Sequence, residues 1–292
     1  MSQPSRPKRP GSSRSLLHRL LGIKQSRRVF KRRLMMESLE TRQVFASFEV
    51  TSLLDTTNGS DSVVTLREAI ALANANSDAD TITFALSLTS SGPATITLAE
   101  GQLQITAALT ITGPGQTELT IDANQQSRVL HVPVSAIDVA IEGLTLTGGK
   151  TTAVGDLDFA NRSFDGGAIN FDSTGTLTLV GSSVTGNLTS GRYARGGGIS
   201  TYSGAVTLIS SSVSGNSTEG QEAYGGGIYA GSGAVTLTES SIENNTTSGD
   251  NASGGGIRQQ LFGNTTLTNS FVSGNSTSGL NARGGGIDNR SG

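Results

Sequence analysis

A glycine-rich tetrapeptide ending in isoleucine returns along the second half of the chain with a period that leaves few folds open. Gly-Gly-Ala-Ile stands at 166–169, and Gly-Gly-Gly-Ile at 196–199, 225–228, 254–257 and 284–287, so Ile169, Ile199, Ile228, Ile257 and Ile287 are spaced 30, 29, 29 and 30 residues. Three further columns keep the rhythm: Leu179, Leu208, Leu237 and Leu267; Val184, Val213, Ile242 and Val272; and Asn187, Asn216, Asn245 and Asn275. Each Asn precedes the next Ile by 12 residues, whereas each Ile precedes the next Leu by 10, 9, 9 and 10. All variation in length therefore falls in one loop.

A repeat of about 30 residues without helical periodicity is one coil of a solenoid. Alternation in Ala205-Val206-Thr207-Leu208 puts Val206 and Leu208 on one face. Ser212-Val213-Ser214 is a second short strand, and the glycine run leads into a third. Three short strands per coil of 29–30 residues, each with one aliphatic column, predict an all-β, triangular parallel β-helix whose coils stack about 4.8 Å apart. Glycine suits tight corners that need unusual φ or close backbone approach. The Asn column predicts an internal amide ladder, each bond contributing about 1 kcal/mol net. A lone coil cannot offset its own chain entropy, so the coils must stabilise one another.

The same body extends upstream. Leu103/Ile105, Leu109/Ile111, Leu119/Ile121, Val129/Val132, Val139/Ile141 and Leu144/Leu146 are short strands split by turns. Residues 139–149 align with 177–187, with Gly149 where Asn187 stands, and Gly149 lies 20 residues before Ile169 instead of 12. An eight-residue insertion carrying Asp156, Asp158 and Asp165 must bulge there.

Before the strands, Thr65 and Glu68 form a capping box for a helix over about 65–75, and Leu66, Ala69, Ile70 and Ala73 give it one apolar stripe. Charge separates the remaining piece. Residues 1–46 hold 12 of the 21 Lys/Arg against Glu37 and Glu40, whereas residues 47–292 hold the other 9 bases against 21 acids. The chain thus divides into a basic arm (1–46) expected to be disordered, a cap module (47–94) and β-helix repeats (95–292). His18 and Arg19 interrupt the only apolar core of the arm, which argues against a conventional secretory signal.

Three resemblances add to this reading. Arg32-Arg33 followed by Met36-Glu37-Ser38-Leu39-Glu40-Thr41-Arg42-Gln43-Val44-Phe45-Ala46 resembles a leader of large cell-surface and secreted proteins of planctomycete-type bacteria, which implies export. Val64-Thr65-Leu66-Arg67-Glu68-Ala69-Ile70 resembles the Cys-Ser-Leu-Arg-Glu-Ala module that precedes repeat arrays in bacterial surface proteins. Val64 replaces that family's cysteine, so any role of the thiol is absent. Gly166-Gly167-Ala168-Ile169, paired with Val213-Ser214-Gly215-Asn216 and its copies, resembles the repeats of polymorphic outer-membrane proteins, with Val or Ile in place of Phe. That likeness, over about 95–292, implies a right-handed single-stranded parallel β-helix with the helix as its N-terminal cap.

Candidate chemistry is sparse. The chain has no cysteine and only His18 and His131, and no run of apolar residues is long enough to span a membrane as a helix. The acids of the repeats fall in scattered registers, which gives no catalytic residues and no cofactor site. Asp165, Arg195, Tyr224, Ser253 and Arg283 form one external column, four residues before each isoleucine, in which Asp165 and Arg195 are expected to make a surface ion pair of little worth. Asp156 and Asp158 are the only candidates for Ca²⁺, and a solvated acidic loop is the expectation for them. The N-x-S/T triplets at Asn187, Asn216, Asn245 and Asn275 coincide with the ladder, so they are read as structure and not as glycan acceptors.

The function expected is that of a non-enzymatic exported protein at the cell surface, outer membrane or extracellular matrix, with other surface proteins or polysaccharides as partners. A pectate-lyase-like polysaccharide lyase or hydrolase with active coils outside this chain is the alternative. A nucleic-acid-associated protein acting through the arm is a second alternative, although no binding module accompanies the charge, and no nucleic-acid partner is expected. The repeats stop in mid-coil after Ile287, from which a longer parent protein or end-to-end self-association is expected.

Overall fold

A computed structural model describes residues 46–59, 62–75, 77–133, 136–152 and 163–290. The basic arm, with its expected disorder, and Asp156 and Asp158 lie outside the described residues. The described residues form one compact unit, a right-handed parallel β-helix of about seven turns.

Strand β1 (Ser47–Val50) and helix α1 (Leu66–Ala73) precede the first coil, which is β2 (Asp80–Phe84), β3 (Ala94–Thr97) and β4 (Leu103–Gln104). The second coil is β5 (Leu109–Thr112), β6 (Leu119–Asp122) and β7 (Leu130–Val132). The third adds a strand: β8 (Val139–Glu142), β9 (Thr145–Thr147), β10 (Lys150–Thr152) and β11 (Ile169–Phe171). Four-strand coils follow, as β12 (Thr176–Val180), β13 (Ser183–Thr185), β14 (Leu188–Ser190) and β15 (Ile199–Thr201), then β16 (Ala205–Ile209), β17 (Ser212–Ser214), β18 (Ser217–Glu219) and β19 (Ile228–Ala230). The last two are β20 (Val235–Thr238), β21 (Ser241–Glu243), β22 (Thr246–Ser248) and β23 (Ile257–Gln259), and β24 (Thr265–Thr268), β25 (Phe271–Ser273), β26 (Ser276–Ser278) and β27 (Ile287–Asn289).

Equivalent strands pair in parallel to build four sheets. The three aliphatic columns each line one of them: Leu179–Leu208–Leu237–Leu267 in the first, Val184–Val213–Ile242–Val272 in the second and Ile169–Ile199–Ile228–Ile257–Ile287 in the third. The upstream strands continue these columns, with Ile111 opposite Ile141, Ile121 opposite Leu146 and Leu103 opposite Leu130. The fourth sheet, β10-β14-β18-β22-β26, is an addition that the hydrophobic pattern does not mark. Its central inward residues are threonines, and Thr189, Thr218 and Thr247 are fully buried.

The glycines of the repeat motif differ in purpose. Gly196 holds φ +62°, in the left-handed region that a side chain resists, whereas a Cβ on Gly197 would lie 2.2 Å from the Ser217 carbonyl oxygen of the fourth sheet. The first glycine turns the chain and the second lets the fourth sheet lie against it.

At the N-terminal end, α1 buries Leu66, Ala69, Ile70 and Ala73 into the same core as β1 and β2. Its capping box is complete: Thr65 Oγ1 accepts from the Glu68 N–H at 3.2 Å, and Glu68 Oε2 accepts from the Thr65 N–H at 2.9 Å. The next residue of the motif, Arg67, fixes the helix to the first coil. Its guanidinium donates twice to Asp55, at 2.8 Å each, and also to the carbonyls of Gly101 and Gln102. Burial alone would raise the Asp55 carboxyl, but Arg67 and the Glu100 and Ala99 N–H groups hold it below its ordinary value.

Candidate functional site

The buried arginines Arg128, Arg195 and Arg258, with Asp165, gather along the third sheet. After each column isoleucine or its equivalent the chain presents an outward residue, in turn His131, Asn170, Ser200, Tyr229, Arg258 and Asp288. An outward strand residue is ordinarily solvated. Here the chain runs out along the fourth sheet and returns, so that Arg195, Tyr224, Ser253 and Arg283 bridge one another in parallel ahead of the glycines. The returning ladder and the outward column face each other. The Arg195 guanidinium lies 5.4 Å from the Tyr229 ring centroid, Arg258 lies 5.3 Å from that of Tyr224, and the two rings are 6.5 Å apart.

This geometry corrects the expectation of a surface ion pair. Arg195 Nη1 and Asp165 Oδ2 do meet, at 3.3 Å, but their side chains are 1% and 5% exposed. Burial pushes the Asp165 carboxyl up to about 7, against the pull of Arg195. The same burial lowers Arg128 to about 10 and raises the Tyr229 hydroxyl to about 12. At the far end of the line Arg258 pairs with Asp288, and Tyr229 donates to Gln260.

Arg128 closes the near end, and all three of its nitrogens donate within the protein. Nε reaches the carbonyls of Asp165 (2.9 Å) and Gly166 (2.8 Å), Nη2 those of Asp165 (2.7 Å) and Ser163 (2.9 Å), and Nη1 the Gln102 side chain (2.6 Å). Beside this cluster, His131 and Asp172 lie 3.3 Å apart and are 24% and 16% exposed. The other ring nitrogen of His131 contacts Gln102 at 3.4 Å, and Asn170 donates to Asp172 at 2.9 Å. Both imidazole nitrogens and the carboxylate are thus already engaged.

At the corner between the second and fourth sheets the Asn column forms the expected ladder. The backbone N–H and Nδ2 of Asn187 both donate to Asn216 Oδ1, those of Asn216 to Asn245, and those of Asn245 to Asn275, all between 2.9 and 3.0 Å. Asn187, Asn216 and Asn245 are at most 1% exposed. Gly149, at the equivalent position one coil earlier, begins the ladder by donating its N–H to Asn187.

A second ladder escaped the reading of the sequence. Between the first and second sheets, the N–H groups of Ser182, Ser211 and Ser240 donate to the hydroxyls of Ser211, Ser240 and Ser270. The signal was present, since these serines keep the 29, 29 and 30 spacing, but serine is frequent in every turn of this chain. Among the described residues no group of three or more His, Asp or Glu side chains is placed to hold a metal ion, and no helix is long and apolar enough to cross a membrane.

The chain matches no family model, no curated protein and no solved structure.

Proposed function

We propose that this is an exported, non-enzymatic β-helix repeat protein that serves in adhesion or as matrix at the cell surface, outer membrane or outside the cell. The observation that carries the proposal is how Arg128 and Arg195 are used. Charged groups that a β-helix enzyme would aim at a substrate here tie coil to coil, with the donors of Arg128 directed at carbonyls across the insertion. Export rests on the leader resemblance of Arg32–Ala46. Fractionation of cells producing the full chain should recover it in the envelope or the medium. A cytoplasmic pool retaining residues 1–46 would sink the export reading.

The rival is a polysaccharide lyase or hydrolase, and the partly exposed His131–Asp172 pair favours it. Incubation with acidic polysaccharides separates the two: no cleavage is expected, and cleavage abolished by Asp172→Asn would replace the structural reading with the enzymatic one.

A further inference from the structure

Outward hydroxyl columns line both the first and the second sheet, the latter through Thr95, Thr120, Thr145, Ser183, Ser212 and Ser241, so what sets the first sheet apart is charge. Register stacks Ser47, Thr81, Thr110, Ala140, Thr178, Thr207, Thr236 and Thr266 in one outward column, hydroxyl-bearing at every strand except Ala140. The column two residues further along runs Glu49, Thr83, Thr112, Glu142, Val180, Ile209, Thr238 and Thr268, with Ile209 38% exposed. Threonine suits any half-buried strand, so its presence alone says little.

Charge says more. From β12 to β24 the first sheet carries no ionisable side chain on four consecutive strands, although residues 47–292 hold 21 acids and 9 bases. The second and fourth sheets place Glu243 and Glu219 outward within the same coils. Where Ala140 interrupts the threonines, a cavity of about 180 Å³ opens between Thr110 and Thr178, lined also by Ala79, Ala108 and Asp138. Asp138 is held there by accepting from the Thr176 N–H at 2.7 Å. Next to it, Glu142 accepts from the Thr112 hydroxyl.

We propose that this face binds an uncharged polysaccharide chain lying across the strands. The threonine hydroxyls recur about every 4.8 Å, and an extended pyranose chain advances by nearly the same interval per sugar, so one hydroxyl meets each residue of the glycan. Val180 and Ile209 offer an apolar strip for the C–H face of a sugar ring. The Ala140 cavity admits one ring substituent, with the Asp138 carboxylate to accept hydrogen bonds from its hydroxyls. The charge pattern selects the ligand: an acidic polymer would be repelled by Asp138, Glu142 and the surrounding carboxylates, whereas a neutral one meets a face without charge from β12 to β24.

This inference rests on the adhesive reading and gives it a partner class. The test is native affinity electrophoresis of the full chain in gels containing soluble mixed-linkage β-glucan, with polygalacturonate gels in parallel. Retardation by the glucan alone is expected. It should weaken by about tenfold in affinity in Thr178→Glu/Thr207→Glu, persist in Thr178→Ser/Thr207→Ser, and persist in Ser183→Glu/Ser212→Glu on the second sheet, with circular dichroism checking that each variant folds. Retardation by polygalacturonate instead, no retardation at all, or retardation equal in the first double variant overturns the proposal. A chain found at the cell surface that ignores the glucan defeats this inference and leaves the adhesive reading standing.

Discussion

The second coil and the fifth have nearly the same circumference and are built in different ways. From Ile111 to Ile141 the chain advances 30 residues through three strands, and from Leu208 to Leu237 it advances 29 through four. The early coils spend their length on longer connections, and their register is set at the end by a helix whose Arg67 grips Asp55 and the carbonyls of Gly101 and Gln102. The later coils fold the same length back on itself against glycine, and each is indexed to the next by an asparagine and a serine. The repeat length therefore fixes the circumference of a coil, not its number of strands. One end of the solenoid is pinned by tertiary contacts and the other by ladders.

The contrast can be broken most severely at the close approach. Gly226→Val would put a Cβ 2.3 Å from the Thr246 carbonyl oxygen, where backbone must give way, and we expect a loss of more than about 4 kcal/mol. In urea melts followed by site-specific hydrogen exchange, protection should vanish in β18 and β22 before β2 and β5. Uniform loss along the chain would show that the two regions do not differ in this way.

Acid and base should attack different places, the N-terminal cap and the third coil. Asp55, held below its ordinary value, contributes stability above about pH 4 that disappears as pH falls through its folded pKa. Asp165, raised to about 7, behaves in reverse. The folded state keeps its proton up to about pH 7, while the unfolded chain has lost it above about pH 4, so stability falls by at most about 4 kcal/mol as pH rises through that window. Thermal melts of Asp165→Asn from pH 4 to 8 should be flatter than those of the unaltered chain, and those of Asp55→Asn flatter below pH 4. Parallel profiles for all three would refute the assignment.

Removing one rung is a milder break. Asn216→Ala deletes the acceptor of two Asn187 donors and its own bond to the Val184 carbonyl at 2.9 Å, and leaves buried partners unpaired. We expect a loss of about 3 kcal/mol, read as a shift in the urea midpoint. A loss equal to that of exposed Asn281→Ala would deny the ladder its role.

The smallest effect concerns the fourth sheet, where the buried Oγ1 of Thr218 has no hydrogen-bond partner. Replacement by the isosteric valine should raise stability by about 1 kcal/mol, seen as a higher Tm. A lower Tm would mean that the hydroxyl is satisfied.

What the sequence disclosed follows from which forces are periodic. Aliphatic columns, the Asn ladder and the Thr65–Glu68 capping box were legible because each recurs at the repeat length or sits in a short local pattern. The fourth sheet was not, because Thr189, Thr218 and Thr247 face inward without being apolar. Nor was the burial of Asp165 and Arg195: strand alternation puts them outside, and only the return of the chain beside Tyr229 encloses them. The Arg67–Asp55 pin joins residues twelve apart across a turn with no periodic signature.

Parallel stacking also decides how such a chain yields to mechanical tension. Bonds between coils run along the stacking direction, so a pull on the C-terminal strand loads the edge of the last coil instead of shearing whole sheets at once. Coils then peel singly, each releasing about 100 Å of extended chain, and every asparagine rung met on the way is one more barrier to the next slip. A chain loaded in this way would lengthen in steps and rewind from coils still in place.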